Sequence, residues 1–254
     1  MINKTELITY LDEFLEINAH DDYSWNGLQI DSSKSEIYKL SFAVDACMGS
    51  IKASADSDSQ MLITHHGLFW RGASPNLVGH NYKRIVTALD ADLAVYSAHL
   101  PLDSHKQVGN NAQIIAAIDA EIVSDFAKDG SGKAIGYFAQ LKKPENREEL
   151  LAKLDDFLGT DSHKLNFGSA VIKRVAVLSG ASSTSHIYEA HRGGADLLVT
   201  GEQKEIYQTA KDMGLNVVFA GHYYSETVGL KALAKQLQSR YQLETEFIDL
   251  PTGL

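Results

Sequence analysis

Two segments of this chain place imidazole and carboxylate side chains at one spacing and in one setting. Tyr96-Ser97-Ala98-His99-Leu100-Pro101-Leu102-Asp103 follows the apolar run Leu93-Ala94-Val95, and Phe219-Ala220-Gly221-His222-Tyr223-Tyr224-Ser225-Glu226 follows Val217-Val218. In each, a His is followed four residues later by a carboxylate, and both the His pair and the carboxylate pair are 123 residues apart. A third segment, Leu62-Ile63-Thr64-His65-His66-Gly67, ends another apolar run with two adjacent His. Nitrogen and oxygen ligands without thiolate suit zinc, iron, manganese or nickel, and the sequence does not choose among them. Four imidazoles and two carboxylates exceed the needs of one tetrahedral zinc site. They suit two ions about 3.5–4 Å apart.

Each of these residues has a plainer reading. A single His is more often a surface or satisfied core group than a ligand, and a His pair after a strand can serve a cap or turn. The repeated His-x-x-x-carboxylate pattern carries the metal reading. His20, His80, His105, His163, His186 and His191 lack such a context and read as ordinary. Gly130-Ser131-Gly132-Lys133 resembles the end of a phosphate-binding loop, but Ala134 stands where Ser or Thr belongs and Ala127 replaces the upstream Gly, so a hairpin turn is expected. Tyr223 and Tyr224 could stack on a ring-shaped substrate or simply pack a wall.

The elements that must position these residues alternate between strand and helix. A helix is expected from about Leu7 to Leu15, with Asn3 and Glu6 in a capping-box arrangement. Asp21 to Gln29 reads as a loop. Strands are expected at Ile37–Val44, Met61–Thr64 and Leu93–Tyr96, with helices at Met48–Ala55, His80–Leu89 and Asn111–Ile118, the last capped by Asn110. Pro101 argues against one helix face carrying both His99 and Asp103, so this segment reads as a strand mouth. Later come strands at Arg174–Leu178, Asp196–Thr200 and Val217–Ala220, and helices at Ser185–Arg192, Ile206–Met213 and Glu226–Leu237. Between the two series lie a strand at Ala134–Leu141 and a helix at Pro144–Leu158.

Ile63-Thr64-His65 aligns with Val199-Thr200-Gly201 at an offset of 136, which drops to 123 at the His-x-x-x-carboxylate segments. The first half therefore carries about 13 extra residues, most simply the loop Phe69–His80. An internal duplication follows, with a first α/β repeat at 1–122, an intervening segment at 123–172 and a second repeat at 173–254. The fold class is α/β with mixed sheets. A net charge of −10 argues against binding to a nucleic-acid backbone. Cys47 is the one cysteine, which suits a reducing compartment and reads as a small buried side chain. No secretory signal or transmembrane stretch is expected, and the location is read as cytoplasmic.

As a set, Trp25-Asn26-Gly27-Leu28-Gln29, Ile63-Thr64-His65-His66-Gly67, Ser97 to Asp103, Val199-Thr200-Gly201-Glu202, Ala220 to Glu226 and Phe247-Ile248-Asp249-Leu250-Pro251 resemble the YbgI-like, or Nif-three-like, dinuclear metal proteins. These are often labelled GTP cyclohydrolase 1 type 2 homologues. The resemblance implies two intertwined, similar α/β lobes, two metal ions held by His65, His66, Asp103, His222 and Glu226, and assembly as a toroidal homohexamer. His99 would lie near the site, where its chemistry suits proton transfer. Ser225 stands where the family has Thr. The function so implied is a metal-dependent hydrolase of a nucleotide-like or heterocyclic small molecule. The alternative is a non-enzymatic metal-binding assembly that handles metal or binds partners.

Overall fold

A computed structural model describes residues 1–202 and 205–253. Its chain divides into two compact units, Met1–Leu102 with Leu230–Leu250, and Asp103–Gly229 with Pro251–Leu254. Two of the three divisions fall inside the helices Leu100–Ser104 and His222–Tyr241, and the third falls after the last strand, between Leu250 and Pro251. Packing defines these units, whereas sequence repetition defines the bounds at 122 and 172.

The first unit holds a five-stranded sheet in the order Glu244–Phe247, Lys39–Asp45, Met61–His66, Ala94–Ser97, Gly27–Ile30. The first four strands are parallel and the last is antiparallel. Helices Met48–Asp56 and Gly79–Asp90 connect the central strands. Parallel strands covered on both faces read as near-continuous apolar runs, and Phe42, Leu62, Ile63 and Val95 are fully buried here. Ile51 and Ala88 from the two helices pack against Leu62 and Val95. The helix Lys4–Phe14 starts where Asn3 accepts hydrogen bonds from the backbone N–H groups of Thr5 and Glu6, and it buries Leu7 and Leu11.

The second unit holds six strands in the order Ala120–Lys128, Ala134–Asn146, Val171–Ala181, Leu197–Glu202, Asn216–Phe219, His163–Asn166. Val171–Ala181, Leu197–Glu202 and Asn216–Phe219 are parallel to one another, and the other pairings are antiparallel. Side chains alternate between two cores, as the period of a strand dictates. Val175, Val177 and Val199 join the leucines of helix Arg147–Leu158, while Ala176, Leu178 and Leu198 join Ile187 and Ala190 of helix Thr184–Arg192. Each unit thus has three parallel strands joined by helices, with an antiparallel strand beyond the third. This order is consistent with the expected duplication.

Several local expectations are corrected. The segment from Pro144 does not open a helix. The strand Ala134–Asn146 runs through Pro144, whose missing N–H falls where the ladder shifts register. The helix starts at Arg147, with Asn146 accepting from the N–H of Glu148. Gly109, not Asn110, caps the helix Asn110–Ala117. The last long helix begins at His222, four residues earlier than read. Leu100–Ser104 is a short helix, and Pro101 lies in its first turn, where a missing N–H costs nothing. Part of the expected loop Asp21–Gln29 is the strand Gly27–Ile30. Cys47 is half-buried, and its Sγ accepts from the N–H of Ser50 at the start of a helix.

The hairpin turn was expected correctly. Asp129 accepts from the N–H groups of Ser131 and Lys133, and Gly132 has φ +85°, a region that favours glycine. Among the described residues no helix is long and apolar enough to cross a membrane.

Gly136 shows how closely the strands of the second unit approach. A Cβ there would run into the carbonyl oxygen of Val177 on the neighbouring strand. Gly136→Ala is expected to destabilise the protein by about 1–3 kcal/mol, seen as a lower urea midpoint with an unchanged slope. An unchanged midpoint would show that the strands can separate at no cost.

Candidate metal centre

The candidate site residues divide between the units, with the proposed ligands His65 and His66 and the proton-transfer candidate His99 in the first, and Asp103, His222 and Glu226 in the second. In the first unit the strand Met61–His66 delivers His65 and His66, and His99 follows the neighbouring strand Ala94–Ser97. Ring centroids are 4.9 Å apart for His65 and His66, 5.0 Å for His65 and His99, and 5.6 Å for His66 and His99. One nitrogen from each ring can be chosen so that all three lie within 4.8 Å of one another. His65 is fully buried. Trp70 lies edge-on to His99, with ring centroids 5.2 Å apart.

Each of these imidazoles has its Nδ1 on an oxygen acceptor. His65 Nδ1 is 3.0 Å from the carbonyl oxygen of Ala98, and His66 Nδ1 is 2.9 Å from Asp45. Asp45 stands opposite His66 in the parallel register, so the sheet itself sets this pair. His99 Nδ1 is 2.7 Å from Asp22. A carbonyl or carboxylate oxygen can only accept, so each Nδ1 carries a proton, and whenever a ring is neutral its lone pair sits on Nε2. This is the arrangement by which proteins orient metal-binding histidines.

Asp22 is buried, at 2% exposure, and accepts from four groups. Besides His99 these are the Leu100 N–H, the Ser24 N–H and the Asn26 side-chain amide. Asn26 also accepts from the backbone N–H of His99. Burial alone would raise the Asp22 carboxyl. The hydrogen bond and charge of His99, with the bonds from Asn26 and Ser24, outweigh it and hold the group well below the usual carboxylate range.

In the second unit the helix His222–Tyr241 carries His222 and Glu226 one turn apart, where side chains meet on one helix face. His222 Nε2 is 3.2 Å from Glu226 Oε1. Two ligand atoms each about 2.1 Å from a shared ion lie roughly 3.0–3.4 Å apart at octahedral to tetrahedral angles. His222 Nδ1 is 2.8 Å from Glu202, at the end of strand Leu197–Glu202. Gly180 makes room for this pair. Its φ is +63°, and a Cβ there would fall on Glu226 Oε1.

Gly180 donates its N–H to Ser225 Oγ, so the Ser225 hydroxyl has a structural task. The preceding residue, Ser179, donates to Asp103 Oδ1 at 2.7 Å, and Asn110 donates to the same oxygen at 2.9 Å. Asp103 and Glu226 are both buried. The donor chemistry of these His and carboxylate groups fits a divalent metal.

The model of the family Duf34/NIF3 (NGG1p interacting factor 3) matches residues 2–252. The chain belongs to the Duf34/NIF3 family. A Pyrococcus abyssi relative named GTP cyclohydrolase 1 type 2 homolog is 40% identical, with both chains fully covered. Among solved structures, the protein ybgI is similar at a TM-score of 0.90 and 31% identity, again with both chains fully covered. A protein from Thermus thermophilus is similar at 0.88 and 34%, with the same coverage.

Within this Duf34/NIF3 chain, the first unit brings together His65, His66 and His99, and the second brings together His222 and Glu226 beside the segment that holds Asp103. Sequence reasoning missed the residues that hold them. Asp22 is 77 positions from His99 and no motif marks it. Asp45 ends an apolar strand as His66 does, and that shared position was a usable signal. Gly180, a glycine after an apolar run, was another.

The depressed Asp22 carboxyl gives a signed prediction. A group whose folded pKa is lowered contributes fully above its unfolded value, about 4, and loses that contribution as pH falls below it. Asp22→Asn is therefore expected to cost about 1–3 kcal/mol at pH 7 and to show a shallower loss of stability below pH 4. Urea midpoints across pH 2–7 for both proteins would check it, and parallel curves would remove the assigned role of Asp22.

Proposed function

We propose that this chain is a dinuclear divalent-metal protein with His65, His66, Asp103, His222 and Glu226 as ligands. We further propose that it is a metal-dependent hydrolase of a nucleotide-like or heterocyclic small molecule. The observation that carries the metal reading is the Nδ1 anchoring of His65, His66 and His222, which directs the Nε2 lone pair of each ring away from its own acceptor. The substrate class is supported by the name GTP cyclohydrolase 1 type 2 homolog borne by relatives. When bound, zinc, iron, manganese or nickel ions lower the pKa of a coordinated water to near neutrality and polarise the group it attacks.

The chain's own residues would divide the remaining work. Asp45 and Glu202 keep His66 and His222 in one tautomer. His99 takes or gives a proton at Nε2, while Asp22 holds the proton on Nδ1 and fixes the ring plane. Trp70 packs against His99 with the two rings at a steep angle.

Burial of His65, Asp103 and Glu226 favours a second reading, a closed site that stores or hands on metal without turnover, because catalytic sites keep an open position. A homohexamer in the cytoplasm belongs to the proposal as well. Sedimentation of the purified protein checks the assembly, and a monomer would remove it.

Metal content per chain, on protein purified without chelator, tests the central claim. About two ions per chain are expected, falling by at least one in His65→Ala and in Glu226→Ala while circular dichroism stays unchanged. Full retention in both variants would falsify the ligand assignment. Two retained ions with no turnover of nucleotides or cyclic amides would move the reading to metal handling.

A further inference from the structure

The helix Gly79–Asp90 in the first unit buries Ala88 alone among its residues. Ile85 packs partly against the core, Arg84 donates to the carbonyl oxygen of Ala46 and Thr87 donates to Met48 Sδ, which marks the inward side. On the outward side Tyr82, Val86 and Leu89 fall within an arc of about 60° at 3.6 residues per turn. Tyr82 and Leu89 are more than half exposed, and Val86 is half-buried. Val78 extends this row at the N-cap and is 67% exposed. Ser, Thr, Asp or Asn ordinarily stands at an N-cap, where its side chain accepts from the first N–H groups of the helix, and Val78 makes no such bond. Beside the row lies a cavity of about 110 Å³, with Trp25, Leu68, Phe69, Trp70, Leu77 and Ile85 in its lining. Lys83 and Asp90 sit on one flank of the row, about two turns apart. Neither forms an ion pair among the described residues. From Ser59 to Leu89 there is no Asp or Glu, in a chain whose net charge is −10.

We propose that this row is a two-fold interface with a second copy of the chain, in which the two Gly79–Asp90 helices pack antiparallel and Lys83 of each faces Asp90 of the partner subunit. A two-fold axis through the middle of the helix, level with Val86 and Thr87, brings position 83 of one copy to the height of position 90 of the other. It also keeps the charged flank of both helices on one side, so the pair forms twice. Parallel packing would instead set Lys83 against Lys83, and charges beside an apolar seam select orientation in this way. The stretch without Asp or Glu lets this face meet itself without the repulsion that the chain's overall charge imposes elsewhere. Such an interface is self-complementary and closes at two copies. The cavity gives an apolar side chain of the second copy a seat out of water, where interfaces concentrate their binding energy. The inference deepens the proposed self-association by naming one of its contacts, and it is independent of the metal reading.

The experiment is sedimentation equilibrium of the full-length protein over a range of concentrations. Leu89→Glu is expected to weaken the two-fold contact at least about tenfold, with circular dichroism unchanged because Leu89 is largely exposed. Lys83→Asp and Asp90→Lys, each alone, set like charges opposite one another and are expected to weaken it about fivefold. The double variant Lys83→Asp with Asp90→Lys restores the pair with its signs exchanged, and its association is expected to return to within about twofold of the parent. These two positions are exposed, so the charge exchange stays decisive if Leu89→Glu fails to fold. A parent that stays monomeric, single variants that associate like the parent, or a double variant no better than the singles would overturn the proposal. A hexameric parent with all variants still hexameric refutes this face and leaves the hexamer reading standing. A parent that stops at the dimer, with Leu89→Glu monomeric, refutes the hexamer and supports this face.

Discussion

Parallel strand pairing is the constraint on which the rest depends. Parallel ladders bring the carboxyl ends of neighbouring strands to one edge, and open α/β sheets place their sites there. In the first unit that edge carries Asp45 and His66 in register, with His65 beside them and His99 just beyond the next strand. In the second unit the same kind of edge carries Glu202 and, after the adjacent strand, His222. A slip of one residue in either register would send these side chains to the opposite face. The apolar strand interiors, buried on both sides, are what prevent such a slip.

A cluster of imidazoles at a sheet edge serves chemistry only if each ring is held in one tautomer. The structure does this with oxygen acceptors of different origin. A backbone carbonyl serves His65, a strand-end carboxylate serves His66 and another serves His222, and a loop carboxylate serves His99. The loop carboxylate is the most demanding, because burying a charge without partners is costly. Asp22 meets that cost with two backbone N–H donors, an amide and an imidazole. Asp103 is treated in the same way by Ser179 and Asn110. Asp22 and Asp103 are thus each held by donors from more than one segment, which also ties down the loops that bear them.

Much of this was legible beforehand. The central strands and the helices between them announced themselves as apolar runs and helical periodicities, because burial on both faces leaves a strong mark on composition. The strands Ala120–Lys128, His163–Asn166 and Glu244–Phe247 were not legible. Each mixes charged and apolar residues, and each is defined by the neighbour it pairs with. The boundary at Pro144 misled for a related reason. Proline at a helix start is a sound local signal, but a register shift in the ladder gave it an equally good place in a strand. The late start read for the last helix came from treating His222 as part of a strand mouth, although its spacing to Glu226 is one helical turn.

The sequence by itself determined the α/β class and the family, and it singled out His65, His66, His99, Asp103, His222 and Glu226 as candidates by side-chain type and setting. Only the tertiary structure decided what orients them. Asp22 reaches His99 across 77 positions, and Ser179 reaches Asp103 across 76. A hydrogen-bond partner brought close by folding leaves no periodicity in the chain. The same holds for Gly180, whose missing side chain matters only because Glu226 occupies the space it leaves.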